Sequence, residues 1–365
     1  MKIFLVGTGA AGNKAVVEAI ERGVVKTEDT VMINSTSRDF PPNYEGRKIV
    51  LSDKDTGCGK ERNVAEKYIK TAIKEGKVNI NVSEYSTVIV ATSVEGGTGS
   101  GTAPLLAKYF NQVHAKNTHI MAFCGFEDDV RGLSNTIEFF KEVDPAITVQ
   151  AISNKAFMRY AGGNKFRAEE LANRDMCDRI EIMSGQNFID GRQNIDDTDI
   201  LKLSNTPGFM SVEKRTFDKP LVDNEDFNKV IKKMIYESKS VKSDNPAAIR
   251  MGVVLNLSPE SIDAVDFSFA DLKAAYGNPY EFFLQDQWDG KKEYIGYIVS
   301  GMRLPLDELQ AIFDRYQEET AKVNKDSDAF FYAMSEMGLK DEDKQFDMIK
   351  PVKAGVSVDD FFKNL

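Results

Sequence analysis

From residue 1 to about 155, short apolar runs alternate with stretches whose apolar positions recur every three or four residues. The runs at 2–6, 30–34, 87–92, 119–124 and 148–153 are rich in β-forming side chains, and each predicts a strand. Between them, Asn13 to Gly23 and Lys60 to Gly76 predict helices, the second through Val64, Tyr68, Ile69, Ala72 and Ile73. Such alternation implies a mostly parallel sheet with helices on both faces. Ligands of these sheets bind beyond the carboxyl ends of the strands. The Gly-rich loops of this half all follow strands and would meet at that edge.

Residues 166–190 read as one long helix, with Ala172, Met176, Ile180 and Met183 forming an apolar stripe that would pack between two domains. A polar, irregular stretch then extends to about residue 246. A second β-rich block follows: Ala248 to Leu257, Tyr280 to Leu284 and Glu293 to Val299, the last two joined by the turn-like Trp288-Asp289-Gly290. Leu306, Leu309, Ile312, Phe313 and Tyr316 predict a long amphipathic helix, and Ala329 to Met337 a short one. The remainder, with charges around Phe361 and Phe362, reads as a tail or docking segment. The expected α/β architecture is a parallel-sheet nucleotide-binding domain (1–165), a long central helix (166–192), an acidic loop with a second, smaller α/β domain (193–304), and C-terminal helices with a tail (305–365).

Composition narrows the function. The chain has 365 residues, 42% apolar and 28% charged, enough for a full core and two domains. No basic leader precedes the first strand and no apolar run approaches membrane-spanning length, so a cytoplasmic protein is expected. Cys58, Cys124 and Cys177 are far apart and odd in number, which supports neither a disulfide framework nor a metal site. With His114 and His119 as its two histidines, the chain is poorly supplied for a histidine-based triad or a zinc centre. A net charge of −10 argues against a direct nucleic-acid or anionic-membrane surface.

The chemistry lies in the loops. Glu95-Gly96-Gly97-Thr98-Gly99-Ser100-Gly101 follows the apolar run Thr87 to Thr92, and so many glycines leave a row of backbone amides able to cradle an anion. Gly7-Thr8-Gly9-Ala10-Ala11-Gly12 follows the first strand and matches the GxGxxG dinucleotide fingerprint. A dinucleotide site also wants an acid about 20 residues later, at the end of strand two; Asn34-Ser35-Thr36-Ser37-Arg38 stands there. Two amide cradles suit one nucleotide gripped from several sides, with Gly57-Cys58-Gly59 as a third contact.

The GGTGSG run resembles the GGGTG[ST]G signature of the tubulin/FtsZ superfamily, and the order of the other loops agrees across nearly the whole chain. Glu95 stands in place of the first glycine. Length and tail make the sequence most similar to the TubZ group of plasmid and phage partition GTPases. The resemblance implies that Gly7, Gly9, Ala10, Ala11, Gly12 and Asn13 form a first nucleotide loop, with Asn34 contacting the nucleotide from the second. Phe126-Glu127 with Arg131 resembles a segment whose Glu and Arg face sugar and phosphates; read alone, Glu127 and Arg131 are an i, i+4 pair suited to a solvated bridge. Asn154 matches a ribose-contacting Asn. Asp175 matches a base-recognising acid, which could accept from guanine N1 and N2, and Leu171 stands where a stacking aromatic is often found.

Asn194-Ile195-Asp196-Asp197-Thr198-Asp199 resembles the family's NxDxxD loop, in which Asn194, Asp196 and Asp199 would orient a water for attack on a terminal phosphate. A helix of roughly 20 residues carries the chain about 30 Å from the nucleotide before these acids appear. They would therefore act on a neighbour's nucleotide, through a head-to-tail contact that builds a filament. The resemblance thus implies a GTPase activated by polymerisation, with GTP/GDP and Mg²⁺ as cofactors and no protein-held metal. Its partners would be further copies of itself and a DNA-binding adaptor, reached through the tail. Two competing readings are a nicotinamide-dependent oxidoreductase, resting on Gly7, Gly9 and Gly12, and a non-hydrolysing nucleotide-dependent scaffold.

Overall fold

The computed structural model describes residues 1–241 and 246–336, with side chains of the last helix described to Val323. Its elements are β1 (Ile3–Thr8), α1 (Gly9–Glu21), β2 (Thr30–Asn34), β3 (Arg47–Val50), α2 (Arg62–Lys74), β4 (Thr87–Ser93), α3 (Gly97–His114), β5 (Asn117–Cys124), α4 (Val130–Glu142), β6 (Thr148–Ser153), α5 (Asn154–Phe157), α6 (Lys165–Ser184), α7 (Asp197–Ser204), β7 (Gly208–Thr216), α8 (Asn224–Tyr236), β8 (Arg250–Asn256), α9 (Pro259–Ala264), α10 (Ala270–Ala275), β9 (Glu281–Gln287), β10 (Tyr294–Met302) and α11 (Leu306–Glu336).

Among the described residues ten strands form one sheet in the order β3-β2-β1-β4-β5-β6-β7-β10-β8-β9. The first seven run parallel, so β1, β2, β4, β5 and β6 all deliver their carboxyl ends to one edge. β10 runs antiparallel to both β7 and β8, and β9 runs parallel to β8. Every residue of β1 is buried, as a continuous apolar strand in the middle of a parallel sheet must be. Two apolar clusters, one on each face, form the core; Val6, Val90 and Phe110 lie in one, Leu5, Ile89 and Met176 in the other.

The five strands expected in the first half are present; β3 is an addition. Its Arg47 and Lys48 are exposed and only Ile49 is buried, so this edge strand carries almost no apolar signal. The central helix stops at Ser184, six residues short of the expected end, where Gly185 turns left-handed at φ +64°. The stretch read as irregular to about 246 is instead structured by α7, β7 and α8. β7 escaped the apolar pattern because it buries Ser211 and Glu213, polar side chains that satisfy one another's neighbours rather than water. At the C-terminal end, one helix from Leu306 to Glu336 replaces the expected long and short pair, with nothing to break it near Ala329. Met337 and the tail lie outside the described residues. No helix among the described residues is long and apolar enough to cross a membrane.

Candidate functional site

Two helix N-termini face the carboxyl edge of the sheet without side-chain caps. α1 begins after Thr8 and α3 after Gly96; neither has a side chain bonded to its first amides, and neither carries an acid in its first turn. Their first N–H groups therefore lack intrahelical partners and present partial positive charge. Glycine is required where the two starts pack. Gly9 is left-handed at φ +72°, and a Cβ there would lie 2.9 Å from the Gly99 nitrogen; a Cβ on Gly12 would lie 2.1 Å from the Ala91 carbonyl oxygen. Hydroxyls fasten the loops together: Thr8 to Thr102 at 2.6 Å, and Ser35 at the end of β2 to Thr98 at 2.9 Å.

A crevice of about 70 Å³ opens at this edge. Ala11 and Lys14 line it from α1, Ser93 and Glu95 from the β4–α3 connection, Phe123, Gly125 and Phe126 from the end of β5, Asn154 from the start of α5, and Glu169 and Asn173 from α6. Several buried polar atoms nearby have no protein partner: both side-chain atoms of Asn13, Nδ2 of Asn34 and Oδ1 of Asn154. Buried amides are rarely left so, and their clustering at two free helix ends marks a site shaped for a polar, anionic ligand. A larger cavity of about 230 Å³ between β7, α8 and β10 has no such orphaned lining atoms among the described residues.

The sequence-derived residues divide. Gly7 to Asn13, Asn34, Gly96 to Gly101 and Asn154 converge on this edge. The segment carrying Gly57 and Gly59 is exposed, but its continuation meets the glycine-rich loop before α3, since a Cβ on Gly97 would lie 2.7 Å from the Lys60 backbone.

Glu127 and Arg131 do not pair. Glu127 precedes α4 at φ +57° and binds Lys155 at 2.5 Å and Arg315 at 3.1 Å, while Arg131 binds Glu61 at 2.9 Å. Glu127 lies outside the helical turn that an i, i+4 bridge needs.

Asp175 and Leu171 do not line the crevice. Asp175 is 9% exposed and its carboxylate binds Arg179 at 2.5 Å. Arg179 in turn reaches Ser240 at 2.9 Å and Glu213 at 3.2 Å, and Glu213 accepts from Ser238 and the Lys239 amide. Burial raises the Asp175 pKa to about 6 against the opposing pull of Arg179. The acid thus belongs to a buried ionic knot joining α6 to β7. Leu171 packs on the core. The wall is formed two residues earlier by Glu169 and Asn173, because a two-residue shift on a helix turns a side chain by about 200°. The same four-residue spacing fits either pair, so the sequence signal was present but its register was ambiguous. Lys14, 4.0 Å from Glu169, was not singled out by motif at all.

Asn194, Asp196 and Asp199 lie elsewhere. Asn194 Oδ1 accepts from the Gly191 amide at 2.8 Å, and Asp196 caps α7 by accepting from the Asp199 amide at 2.8 Å. Asn194 and Asp196 are exposed and Asp199 is partly so. The chain just before them lies against the start of β1: the Met1 nitrogen donates to the Ser184 carbonyl at 2.8 Å, and the Gln186 side-chain Nε2 donates to the Met1 carbonyl at 3.1 Å. β1 runs from there to the crevice. Seven residues of extended chain span about 23 Å, and the fifteen steps along α6 from Glu169 to Ser184 span about 22 Å. Two independent paths put the acids at the opposite end of the molecule.

A family model described as the tubulin/FtsZ family GTPase domain matches residues 2–162. Over these residues the chain is similar to the GTPase domains of that family. The cell division protein FtsZ 1 of Methanocaldococcus jannaschii is 23% identical over 216 residues, 58% of this chain and 58% of that protein. The matched stretch thus spans little more than half of that relative. Among solved structures, TubZ of Clostridium botulinum phage c-st superposes with a TM-score of 0.70 at 17% identity, covering 88% of this chain and all of that one. A GTPγS-bound protofilament of CetZ2 from Haloferax volcanii gives 0.71 at 16% identity, covering 89% and 100%. The likeness in fold to these proteins therefore extends well beyond residues 2–162.

Proposed function

We propose that this chain binds GTP in the crevice and hydrolyses it to GDP and phosphate at the contact between successive copies in a head-to-tail filament. The observation that carries the reading is the separation, about 22 Å, of the edge with two free helix N-termini from Asn194, Asp196 and Asp199, the first two exposed and the third partly so. General-base chemistry needs hydrogen-bond reach, so acids at that distance serve only a second molecule. Joining unlike faces repeats without closing, which makes a filament. A GTPγS-bound protofilament among the structural relatives supports this arrangement.

In this reading the free amides of α1 and α3 hold the phosphates, Asn13 and Asn154 take up the ligand's polar groups, and Asn173 with Glu169 faces the base. Glu169 or the Asn173 carbonyl can accept from guanine N1 and N2, a donor pair that adenine lacks. Mg²⁺ would arrive with the phosphates and offset their charge. The filament would position plasmid or phage DNA through an adaptor, the net charge of −10 being unsuited to binding DNA directly.

The test is Asp199→Ala, followed by light scattering and phosphate release with GTP. The variant should assemble, hydrolyse at least about 100-fold more slowly and give long-lived polymers. Normal hydrolysis by the variant, or wild-type hydrolysis at full rate below any assembling concentration, would defeat the proposal.

A further inference from the structure

Glu95 is the one acidic side chain of the phosphate-loop run Glu95 to Gly101, and it sits directly before the cap of α3. Its backbone is pinned: the Asn135 side chain donates to its carbonyl at 2.9 Å and also to that of Lys60 at 3.0 Å. Its carboxylate crosses to the loop after β5 and accepts from the Glu127 amide at 2.6 Å. The fit is close, since a Cβ on Gly125 would lie 1.8 Å from Glu95 Oε2. The carboxylate therefore fills the space that a side chain on Gly125 would take and occupies the Glu127 backbone amide. It is at once a brace between two loops and a negative charge in the wall of an anion site.

The surrounding charges do not neutralise it. Glu127 is committed to Lys155 and Arg315, Asp129 to Lys60, and Arg131 to Glu61. Across the crevice stand Lys14 on α1 and Glu169 on α6, 4.0 Å from each other. Burial, with the Glu127 and Asp129 carboxylates adding to it, pushes the Glu95 pKa above the usual carboxylate range, while the Glu127 and Phe126 amides pull the other way.

We propose that Glu95 is a positioning and specificity residue of the crevice: its carboxylate holds the loop at Gly125–Glu127 against the phosphate loop, and its charge weakens binding of the more highly charged triphosphate relative to the diphosphate. The proposal rests on the crevice being the GTP site. Two like charges across a partly buried site repel by an amount that grows with each phosphate charge added. Bound nucleotide therefore favours protonated Glu95, and affinity rises as pH falls.

The experiment compares Glu95→Gln, which keeps an acceptor but removes the charge, with Glu95→Gly, which removes both. Calorimetric titration of each folded protein with GDP and with GTPγS, at several pH values and in buffers of different ionisation enthalpy, reads affinity and proton uptake together. Glu95→Gln should bind GTPγS about tenfold more tightly, gain less for GDP, and lose the extra proton uptake seen with wild type. Glu95→Gly should bind both more weakly than Glu95→Gln, because the brace is gone. Equal affinities and equal proton uptake in wild type and Glu95→Gln would overturn the inference while leaving the GTP site intact. Failure of the wild type to bind either nucleotide would instead remove the functional reading beneath it.

Discussion

Mixing two disabled proteins locates the reaction centre. Ala11→Asp puts a carboxylate in the first turn of α1, on a residue that lines the crevice. An acid there suits the helix end, worth roughly 0.3–1 kcal/mol to the fold, yet it satisfies the amides and repels phosphate. Asp199→Ala leaves the crevice untouched and removes an acid whose side chain pairs with Lys202 at 3.7 Å. Each protein alone lacks half of a shared site. In a random equimolar polymer, roughly a quarter of contacts join a sound crevice to a sound acid face, because each half is intact in one copy of two. Phosphate release from the mixture should therefore recover to roughly a quarter of the wild-type rate, and co-sedimentation of labelled Ala11→Asp confirms that contacts are mixed. A site within one chain predicts no recovery at all. The separation of about 22 Å leaves no intermediate case, so a mixture no faster than its components would refute the shared site.

Two further predictions concern the fold. Arg179→Leu strands Asp175 and Glu213 in the interior, leaving Lys239, 3.5 Å from Glu213, as the remaining cation in an ion pair with either acid among the described residues, and should cost about 3–5 kcal/mol in urea unfolding; a loss below about 1 kcal/mol would show that the knot is not buried as described. His119 on β5 is fully buried, and burial lowers its pKa to about 4. The folded state then takes up a proton less readily than the unfolded state, so stability present above pH 6.5 is lost as pH falls toward 4, by about 3 kcal/mol. Chemical denaturation across that range should show the loss, and His119→Gln should lack it.

The parallel half of the fold was legible because its strands are buried on both faces and read as unbroken apolar runs. The glycine-rich loops were legible because glycines at fixed spacing serve one backbone need. β7 was not, since Glu213 is polar in sequence and becomes a core residue only when Arg179 meets it from another element. Nor could helical spacing choose between Leu171 with Asp175 and Glu169 with Asn173; only the packing of α6 against α1 and the sheet decides which face looks into the crevice.

The sequence by itself determined that the chain presents two amide cradles and a distant acidic motif, because local backbone geometry and helix length follow from residue type and count. The tertiary structure decided where those pieces face. It alone brought Asn13, Asn34 and Asn154 together as unsatisfied buried amides, turned Asp175 inward to an ion pair, and seated the Glu95 carboxylate on the loop after β5. These are contacts between residues far apart in the chain, and burial, which sets their chemistry, exists only once the sheet has formed.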